Sequence, residues 1–420
     1  MTRRQIALSV CAFAIINWLN LGCVPAPKKG PTASSNGKFS AEKGRNLSLE
    51  ETVQANNRFA FSLMKLLAEE SENVIFSPIS ITSSLGMTSA GARGKTLAQI
   101  QTAFQWQGAP HSGFKGLLPE IRGSSDYQLH MANRLWGRIG AKFYPDLLTL
   151  LDDNYGAGLA PLDFVNQPNP SRLVINQWVE EQTHGKIQDL LPDGSITSQT
   201  DLVLTNAIYF FGHWLHAFKE DLTEDKDFHV RSDQVKKAPF MQQRAQFGYA
   251  EMDQFQVLQM PYQGEEVSFI AILPRSFTLP KDLVAKTTLA DLEEGLTNMS
   301  RREVQVFLPR FKAETTAPLV EPLNQLGMLL AFDPHRADFS GFRRLTPGEN
   351  LSISAIFHKA FVDVNEEGTE AAAATAVVMA TESVDLRPPP PVFRADRPFI
   401  YFIQHRKTGL ILFMGLMGTP

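Results

Sequence analysis

The sequence predicts an α+β fold, because helical spacing of apolar residues is clearest early in the chain and the strand period of two is clearest later. No repeat of fixed period runs through the sequence. This order favours an α+β domain over a doubly wound sheet, in which helices and strands alternate. A chain of 420 residues could form two domains or one large mixed fold.

Residues 1–23 are predicted to be a secretory signal peptide. Arg3 and Arg4 precede an apolar run over residues 6–16, and this run is short for a membrane span. A positive start followed by a short apolar segment is typical of such peptides. We therefore expect the protein to be exported from the cell.

The end of this peptide, Leu21-Gly22-Cys23, resembles the lipobox of bacterial lipoproteins. In that family the cysteine is lipidated and becomes the mature N-terminus, which here implies a lipid on Cys23. Asn20 stands where the family usually has leucine, and an ordinary cleavage site near Gly22 is the alternative. The expected location is extracellular or anchored to the outer membrane, with the lipid as the only membrane contact.

Cysteine usage and charge exclude several classes of protein. Both cysteines, Cys11 and Cys23, lie in the predicted signal peptide, so the body has no disulfide framework, thiol nucleophile or thiolate metal site. A net charge of −4 gives no reason to expect nucleic-acid binding. The nine histidines do not cluster at ligand spacing, and we expect neither a metal nor another cofactor.

Residues 24–47 are predicted to be a flexible tether, and residues 48–420 a single folded domain. The tether is rich in Pro, Lys, Gly, Ser and Asn, and it cannot bury enough apolar surface to fold. Ser48 and Glu51 form a capping-box pattern at the start of the domain. Apolar residues at helical spacing follow: Phe59, Leu63, Leu66 and Leu67.

Later patterns predict a second helix and several strands. After Ser171 one helical face carries apolar residues, and Gly185 is placed to end that helix. Strand alternation follows at two places: Val267, Phe269, Ala271 and Leu273, then Val304, Val306 and Leu308. Two apolar runs between Phe399 and Met417 flank residues 407–409 and predict a C-terminal hairpin.

The most unusual segment is an alanine-rich run between Gly368 and four prolines at 388–391. Alanine propensity alone predicts a short exposed helix. With period two, however, one side of the segment is small throughout, and Glu370 at its start is the only charge there. Such side chains tolerate water in a loop and also fit between two strands, where bulky or charged groups would obstruct entry.

Other blocks of the chain match one family in their content and in their order. They are residues 73–81, 91–96, 132–136, 176–179, 183–187, 206–210 with Gly212, Trp214 and Phe218, 326–328, 337–341, 358–362 and 394–399. These blocks and the alanine-rich segment resemble the serpins, and the resemblance covers nearly all of the chain after the tether. It implies helices packed around a large central mixed β-sheet and two smaller sheets, with an exposed reactive-centre loop at about 366–392.

The resemblance implies an irreversible suicide-substrate inhibitor of serine endopeptidases rather than an enzyme. In serpins a target protease cuts the loop and forms an acyl-enzyme, and the loop then inserts into the main sheet of a metastable fold. The expected partner is the trapped serine protease, held covalently by a serpin monomer. An inhibitor of papain-like cysteine proteases and a non-inhibitory serpin are the alternatives.

Three groups of site residues follow from the resemblance. The hinge is Glu366, Glu367, Gly368, Thr369, Glu370, Ala371, Ala372, Ala373, Ala374 and Thr375, with Gly368 as its pivot. The shutter, a polar cluster below the point where the sheet opens, is Ser77, Ser80, Asn206 and His358. The breach, where insertion begins, is Gly212, Trp214 and Phe218 together with Glu366.

Each group also has a simpler interpretation. The shutter residues could merely satisfy local backbone groups, or a serine and His358 could form a catalytic pair, although no nucleophile-elbow motif is present. The breach aromatics could belong to the surface end of a strand.

The bond cut by the protease is predicted from a count along the loop. With Glu366 as the first residue, the seventeenth is Glu382, and Ser383 follows it. Cleavage there would suit a Glu-specific protease with a basic specificity pocket. Cleavage at Ala380 or Thr381 would suit elastase-like enzymes, whereas the bond after Arg387 precedes a proline and resists cleavage.

Overall fold

The structure, a computed structural model, describes residues 44–346, 349–369 and 389–420. These ranges contain nine α-helices: α1 Leu49–Glu70, α2 Pro78–Ser89, α3 Gly94–Ala103, α4 His111–Glu120, α5 Pro145–Tyr155, α6 Pro168–Gln182, α7 Pro280–Lys286, α8 Leu289–Thr297 and α9 Val320–Gln325. They contain fifteen strands: β1 Val74–Phe76, β2 Tyr127–Arg138, β3 Leu159–Leu162, β4 Leu202–His213, β5 Glu224–Arg231, β6 Gln234–Glu251, β7 Phe255–Pro261, β8 Val267–Pro274, β9 Ser300–Pro309, β10 Phe311–Pro318, β11 Ala355–Val364, β12 Gly368–Thr369, β13 Val392–Arg394, β14 Phe399–His405 and β15 Leu410–Met417.

One layer is a six-stranded mixed sheet with the strand order β10-β11-β12-β4-β2-β3. Strand β11 runs parallel to β4, and β2 runs parallel to β3. The other neighbouring strands are antiparallel, including the two-residue strand β12 between β11 and β4. This mixed sheet, with helices packed on it, confirms the predicted α+β class.

The remaining nine strands form one connected network rather than two separate small sheets. The long strand β6 joins its two parts, because it changes partners along its length. It pairs with β5 through residues 234–240, with β9 through 240–249 and with β7 through 248–251. The two smaller sheets implied by the resemblance are therefore present, and they share this strand.

Helix α2 lies between the two sheets and is buried along its whole length. It contacts β2 and β4 on one side and β15 on the other. Three of its small hydroxyl side chains, Ser83, Ser84 and Thr88, donate to carbonyls of the preceding turn. These local bonds allow a serine-rich helix to be buried without leaving its hydroxyl groups unpaired.

The first predicted helix is confirmed as α1. Ser48 is its N-cap, and Ser48 and Glu51 form the reciprocal bonds of a capping box. The folded body begins slightly before the expected boundary at Ser48, because Leu47 is 3% exposed and its N–H donates to Ala109 O. The side chain of Asn57 ties α1 to β15 through the backbone of Gly409 and Ile411.

The second predicted helix is confirmed as α6, although it starts three residues before Ser171. Pro168 occupies its first turn, where the missing N–H of proline costs no hydrogen bond. Beyond the last helical residue, Gly185 has φ +77° and its N–H donates to Glu180 O. A glycine in this left-handed conformation closes the helix, as the sequence predicts.

The predicted strands and hairpin are confirmed as β8, β9, β14 and β15. Strand β8 is buried at every position, on both faces, since it lies between β7 and β14 under packed elements. The alternation of residue types in the sequence of β8 therefore does not indicate that one face of the strand is exposed to water. No helix in the described ranges is long and apolar enough to cross a membrane.

Candidate functional site

The start of the predicted hinge is buried in the six-stranded sheet instead of lying in an exposed loop. Gly368 and Thr369 form β12, which pairs antiparallel with His213 and Gly212 of β4. On its other side, Thr369 pairs with Val364 of β11. The expectation of an exposed loop from residue 366 is thus wrong for these first residues, because strand pairing removes their backbone from water.

Below β12 the two flanking strands close on each other. Strand β11 pairs with β4 in parallel through seven consecutive residue pairs, from Ala355 with Val203 to Phe361 with Tyr209. The strand β12 therefore occupies a short notch at one end of a closed seam. A longer strand could enter only if β11 and β4 moved apart along that seam.

The predicted breach residues hold the chain that leads into this notch. The Trp214 N–H donates to Glu367 O at 2.9 Å, and its indole Nε1 donates to Asn365 O at 2.9 Å. The Phe218 N–H donates to Glu366 O at 2.8 Å. Trp214 and Phe218 are both buried, which excludes the simpler interpretation of an exposed strand end.

The carboxylate of Glu366 is buried at the same place, with only 4% of the residue exposed. Its Oε1 accepts a 2.8 Å hydrogen bond from Thr223 Oγ1 and lies 3.6 Å from the guanidinium of Arg310. A buried carboxylate is tolerated when it is paired and hydrogen-bonded in this way. These contacts fix the point at which β11 ends and the hinge begins.

Thr369 is fully buried, and its hydroxyl lies 2.7 Å from the hydroxyl of Tyr262. Burial raises the pKa of the Tyr262 phenol, so this group stays protonated and can donate. The Tyr262 ring stacks on Trp214 with centroids 4.6 Å apart. The sequence analysis did not identify Tyr262, since nothing in its local pattern links it to the hinge.

Gly368 is needed here for close approach rather than for an unusual backbone angle. A Cβ at this position would lie 2.1 Å from Gly212 O, a distance that no side chain can accept. The structure gives Gly368 no φ in the left-handed region. This conformation therefore requires that residue 368 has no side chain. It does not require the backbone flexibility on which the predicted role of Gly368 as a pivot depends.

The four predicted shutter residues form one buried hydrogen-bonded cluster. His358 Nδ1 lies 2.6 Å from Asn206 Oδ1, and His358 Nε2 accepts from the Ser77 N–H at 3.2 Å. Ser80 Oγ lies 2.6 Å from the same Asn206 oxygen. The cluster therefore connects α2 to β4 and to β11, directly behind the closed seam.

Three further residues, absent from the sequence prediction, belong to this cluster. Asn206 Nδ2 donates to Ser84 Oγ, and Asn133 Nδ2 donates to Ser83 Oγ and Ser80 O. Ser80 Oγ lies within hydrogen-bond distance of both Asn133 Oδ1 and Asn206 Oδ1, yet it has one proton. Two alternative acceptors allow the network to regroup when the strands separate.

Burial sets the protonation of His358, whose pKa falls to about 3. The ring is therefore neutral, with its proton on Nδ1, because Nε2 accepts from a backbone N–H. Ser77 Oγ donates to Leu412 O rather than to the histidine. No serine hydroxyl in the described ranges pairs with His358, and this fully buried ring does not have the geometry of a catalytic pair.

Comparison with known proteins identifies the family. The model of the family described as "Serpin (serine protease inhibitor)" matches residues 54–420. The chain belongs to the serpins. Among the relatives of this serpin, human Serpin B8 is 41% identical over 382 residues, covering 89% of this chain and 100% of the relative. Bovine leukocyte elastase inhibitor is 40% identical with the same coverage.

Relatives and solved structures of other origins agree. An uncharacterized serpin-like protein of Methanosarcina acetivorans is 35% identical and spans 100% of this serpin and 99% of its own length. Uncleaved ovalbumin matches with a TM-score of 0.80 and 31% identity, over 89% of this chain and 100% of its own. The thermophilic serpin tengpin in its native state matches with a TM-score of 0.78 and 27% identity, over 90% and 96%.

Several predicted residues of this serpin lie outside the described ranges. They are Cys23, the second part of the hinge from Glu370 to Thr375, and the reactive bond Glu382–Ser383. The chain is described again from residue 389, and β13 then pairs parallel with β9 at Val392. The structure thus defines the two ends of the serpin loop and the sheet beside its first end.

Proposed function

We propose that this protein is an irreversible suicide-substrate inhibitor of serine endopeptidases. The serine Oγ of the target attacks the carbonyl carbon of the reactive residue, the peptide bond breaks, and an ester joins protease and inhibitor. The part of the loop that precedes the broken bond, and that carries the ester, then inserts into the six-stranded sheet before the ester is hydrolysed. The observation that supports this mechanism is the register of β12.

That register can be extended along both neighbouring strands. In an antiparallel pair, each step forward along one strand is a step back along the other. Continued from the pairs Gly368–His213 and Thr369–Gly212, this register would bring residue 372 opposite Tyr209 and residue 378 opposite Val203. Continued in the same way from the pair Thr369–Val364, the register on the other side would bring residues 372 and 378 opposite residues 361 and 355 of β11. The two extrapolations agree, because 361 already pairs with 209 and 355 with 203.

Residues 372–378 would therefore lie between β11 and β4, and each of them would stand between the two residues of one pair that now joins these strands directly. Their sequence is Ala-Ala-Ala-Thr-Ala-Val-Val, without a charge, a proline or an aromatic ring. Each would gain antiparallel partners on both sides, and small side chains would fit between two packed strands. A non-inhibitory serpin would not need this match of register and composition.

We place the reactive bond between Glu382 and Ser383, from the count along the loop. The relatives named leukocyte elastase inhibitor favour a second possibility, in which an elastase-like enzyme cuts after Ala380 or Thr381. The released C-terminal peptide would begin at a different residue in each case. Its mass therefore distinguishes the two bonds.

The test is incubation of the protein with glutamyl endopeptidase, elastase, chymotrypsin, trypsin and a papain-like protease in turn. We expect a serpin–protease complex that survives denaturing electrophoresis, together with the released peptide in the mass spectrum. A stable complex with the papain-like enzyme alone would move the proposal to cysteine proteases. Cleavage of the loop without a complex for every enzyme would contradict the inhibitory function.

A matched pair of variants tests the insertion step. Thr369→Arg buries a charge in the notch and removes the hydroxyl that meets Tyr262, so we expect slower insertion and conversion to a substrate. The number of inhibitor molecules consumed per protease trapped should rise severalfold. Thr102→Arg, at an exposed position of α3, is the control and should leave this ratio unchanged. Equal ratios for the two variants would contradict insertion through the notch.

We also propose that the protein is exported and held at the outer membrane by a lipid on Cys23. The sequence pattern of residues 1–23 supports this location. In a lipoprotein-processing bacterial host, the protein should be in the membrane fraction with the mass of a lipidated N-terminus, and Cys23→Ser should release it. An unmodified N-terminus at or near residue 23 would instead indicate simple secretion.

A further inference from the structure

The segment that follows α6 lies across the seam between β11 and β4, on the face of the six-stranded sheet opposite to α2. We call residues 183–188 of this segment the strap. Ile187 of the strap is buried in one apolar cluster with Ala132 of β2 and Ala207 of β4. Phe357 of β11 packs against the same cluster. The strap is therefore packed on strands from both sides of the seam.

The strap contacts β2 through a pair of histidines. The rings of His184 and His130 meet edge to face, with their centres 4.3 Å apart. His130 also stacks on Tyr209, its partner on β4, and its Nε2 lies 3.2 Å from Gln128 Oε1. His184 has φ +52°, a conformation that costs free energy for a residue with a side chain. Packing against His130 therefore holds His184 in a strained position.

Two further contacts carry the strap across the seam. Lys186 Nζ lies 5.9 Å from the ring centre of Tyr209 on β4. Beyond it, Lys359 Nζ of β11 donates to Gln188 O at 3.2 Å. Lys359 is itself paired with Ala207 of β4 within the seam. The strap thus joins two strands that must separate before a third strand can enter between them.

No carboxylate neutralises the histidine pair in the part of the chain that the structure describes. The other titratable and charged groups near the pair on this side of the sheet are Arg134 on β2, Tyr209 on β4, Lys359 and Asp363 on β11, Glu180 and Glu181 on α6, Lys186 on the strap and Asp189 after it. Three of the carboxylates have other partners, which are Gln188 for Glu180, Gln177 for Glu181 and Lys312 for Asp363. A positive charge on each ring would therefore be repelled by the other.

The closed strap opposes protonation of His130. Burial and the adjacent His184 both lower the pKa of His130 below its ordinary value of 6.5. Opening of the strap would bring this imidazole into water and away from His184. Below about pH 6.5 the open form would therefore bind a proton that the closed form does not, so a falling pH favours opening.

We propose that the strap is a pH-dependent restraint on the seam, closed at neutral pH and released in acid, when the charged rings of His130 and His184 repel each other. Release would speed the insertion of the loop, and this consequence rests on the proposed inhibitory function. The opening itself does not rest on that function, because it follows from contacts of the fold described here. The protein would then trap a protease more efficiently in acid than at neutral pH.

The test uses a single cysteine beneath the strap as a probe. The two cysteines of the chain, Cys11 and Cys23, both precede the folded body, so Ala207→Cys adds one reporter thiol at a fully buried position of β4. The rate of its reaction with dithiodipyridine, relative to the same variant unfolded at the same pH, measures how often the strap is open. Ala271→Cys, equally buried in β8, reports loosening of the whole fold.

Between pH 7.5 and pH 5.5, the relative reactivity of Ala207→Cys should rise about tenfold, the limit for uptake of one proton by a group with an ordinary histidine pKa. With His130→Gln added, which stays neutral and can still bond to Gln128, the rise should be less than about twofold. His335→Gln, at an exposed position, is the matched control and should leave the rise unchanged. Ala271→Cys should be equally unreactive at both pH values.

The proposal is overturned if Ala207→Cys reacts equally at both pH values, or if His130→Gln leaves the rise in place. A parallel rise in Ala271→Cys would also overturn it, since acid would then loosen the whole fold.

The link to insertion has its own measurement, the number of inhibitor molecules consumed per protease trapped. With one protease, wild type and His130→Gln should give the same number at pH 7.5, and the variant should give a higher number at pH 5.5. Equal numbers at pH 5.5 would overturn this link. The absence of a covalent complex at both pH values would contradict the inhibitory function, whereas the thiol measurement would still decide whether the strap opens in acid.

Discussion

His358 shows how a single buried side chain couples three elements of this serpin. One ring nitrogen bonds to Asn206 of β4 and the other to the backbone of Ser77 at the start of α2, while the residue itself belongs to β11. The neutral ring supplies one donor and one acceptor, and the site uses both. A protonated ring would have two donors and would lose the bond from the Ser77 N–H.

This protonation state predicts a pH dependence of stability. The pKa of His358 falls from 6.5 to about 3 in the folded protein, so between these values the unfolded chain binds a proton that the folded chain does not. Stability should therefore decrease as the pH falls from about 6.5 to about 3. The apparent Tm, measured at one scan rate, should fall less steeply with pH in His358→Gln than in the wild type.

The matched control for this experiment is His335→Gln, since His335 is exposed. Its curve should follow that of the wild type. Some slope should remain in His358→Gln, because burial also lowers the pKa of His111 to about 4. Parallel curves for the wild type and His358→Gln over the whole range would contradict the assignment of this effect to His358.

At this scale the sequence was informative for part of the site only. The resemblance led to Ser77, Ser80, Asn206 and His358, and the structure places all four in one cluster. Asn133 lay in one of the matching blocks, yet its pattern does not reveal that its side chain points to α2. Contacts between residues more than 50 positions apart depend on the packing of elements, which local patterns do not encode.

At the scale of elements, α6 is attached to the six-stranded sheet by a second, smaller core. This core contains Trp136 and Ala207 from the sheet, Ile175 and Val179 from α6, and Leu191 from the segment that follows. The side chain of Asn176 closes it, since Nδ2 donates to Leu191 O and Oδ1 accepts from the Leu191 N–H. One asparagine therefore satisfies both backbone groups of a buried leucine.

Asn176→Ala should destabilise the protein through these two backbone groups. Each buried group left without a partner costs about 1–3 kcal/mol, so the apparent Tm should fall by several degrees. Asn169→Ala is the control, because Asn169 is exposed in the first turn of the same helix and bonds only to Arg172 in the described ranges. A Tm loss of the same size in both variants would indicate a general effect on α6 instead.

Elements were more predictable than their boundaries and their exposure. The capping box fixed the start of α1, and Gly185 fixed the end of α6, because both signals are local and stereochemical. The short strand β12 was not predicted, since two residues carry no period. Its existence depends on Tyr262, Trp214 and the backbone of Gly212, all remote in sequence.

At the scale of the whole molecule, the proposed mechanism gives the six-stranded sheet a second arrangement along the same seam. In the arrangement described here, β11 and β4 pair directly and in parallel. In the proposed alternative, an antiparallel strand lies between them and gains partners on both sides. The second arrangement would contain more backbone pairing, and under the proposed mechanism the present one is therefore expected to be a kinetically held state.

Cleavage in the loop should therefore stabilise the protein. After limited digestion with glutamyl endopeptidase, the loop-cleaved protein that is separated from any covalent complex should have an apparent Tm about 10 °C or more above that of the intact protein, because several buried hydrogen-bonded pairs are added. Cleaved Thr369→Arg should show little of this rise. An unchanged Tm in the cleaved wild type would contradict the existence of a more stable inserted form.

The contact of α1 with β15 has a consequence for how the protein is made. Asn57 bonds to the backbone of Gly409, 352 residues later in the chain, and every residue of β15 is buried. During translation at about 5–20 residues per second, α1 waits tens of seconds before this partner leaves the ribosome. The helices α2 and α4, which also pack on α1, are made early, but the part of α1 that packs on β15 stays uncovered until then. The nascent chain therefore exposes this apolar surface to aggregation for most of its synthesis.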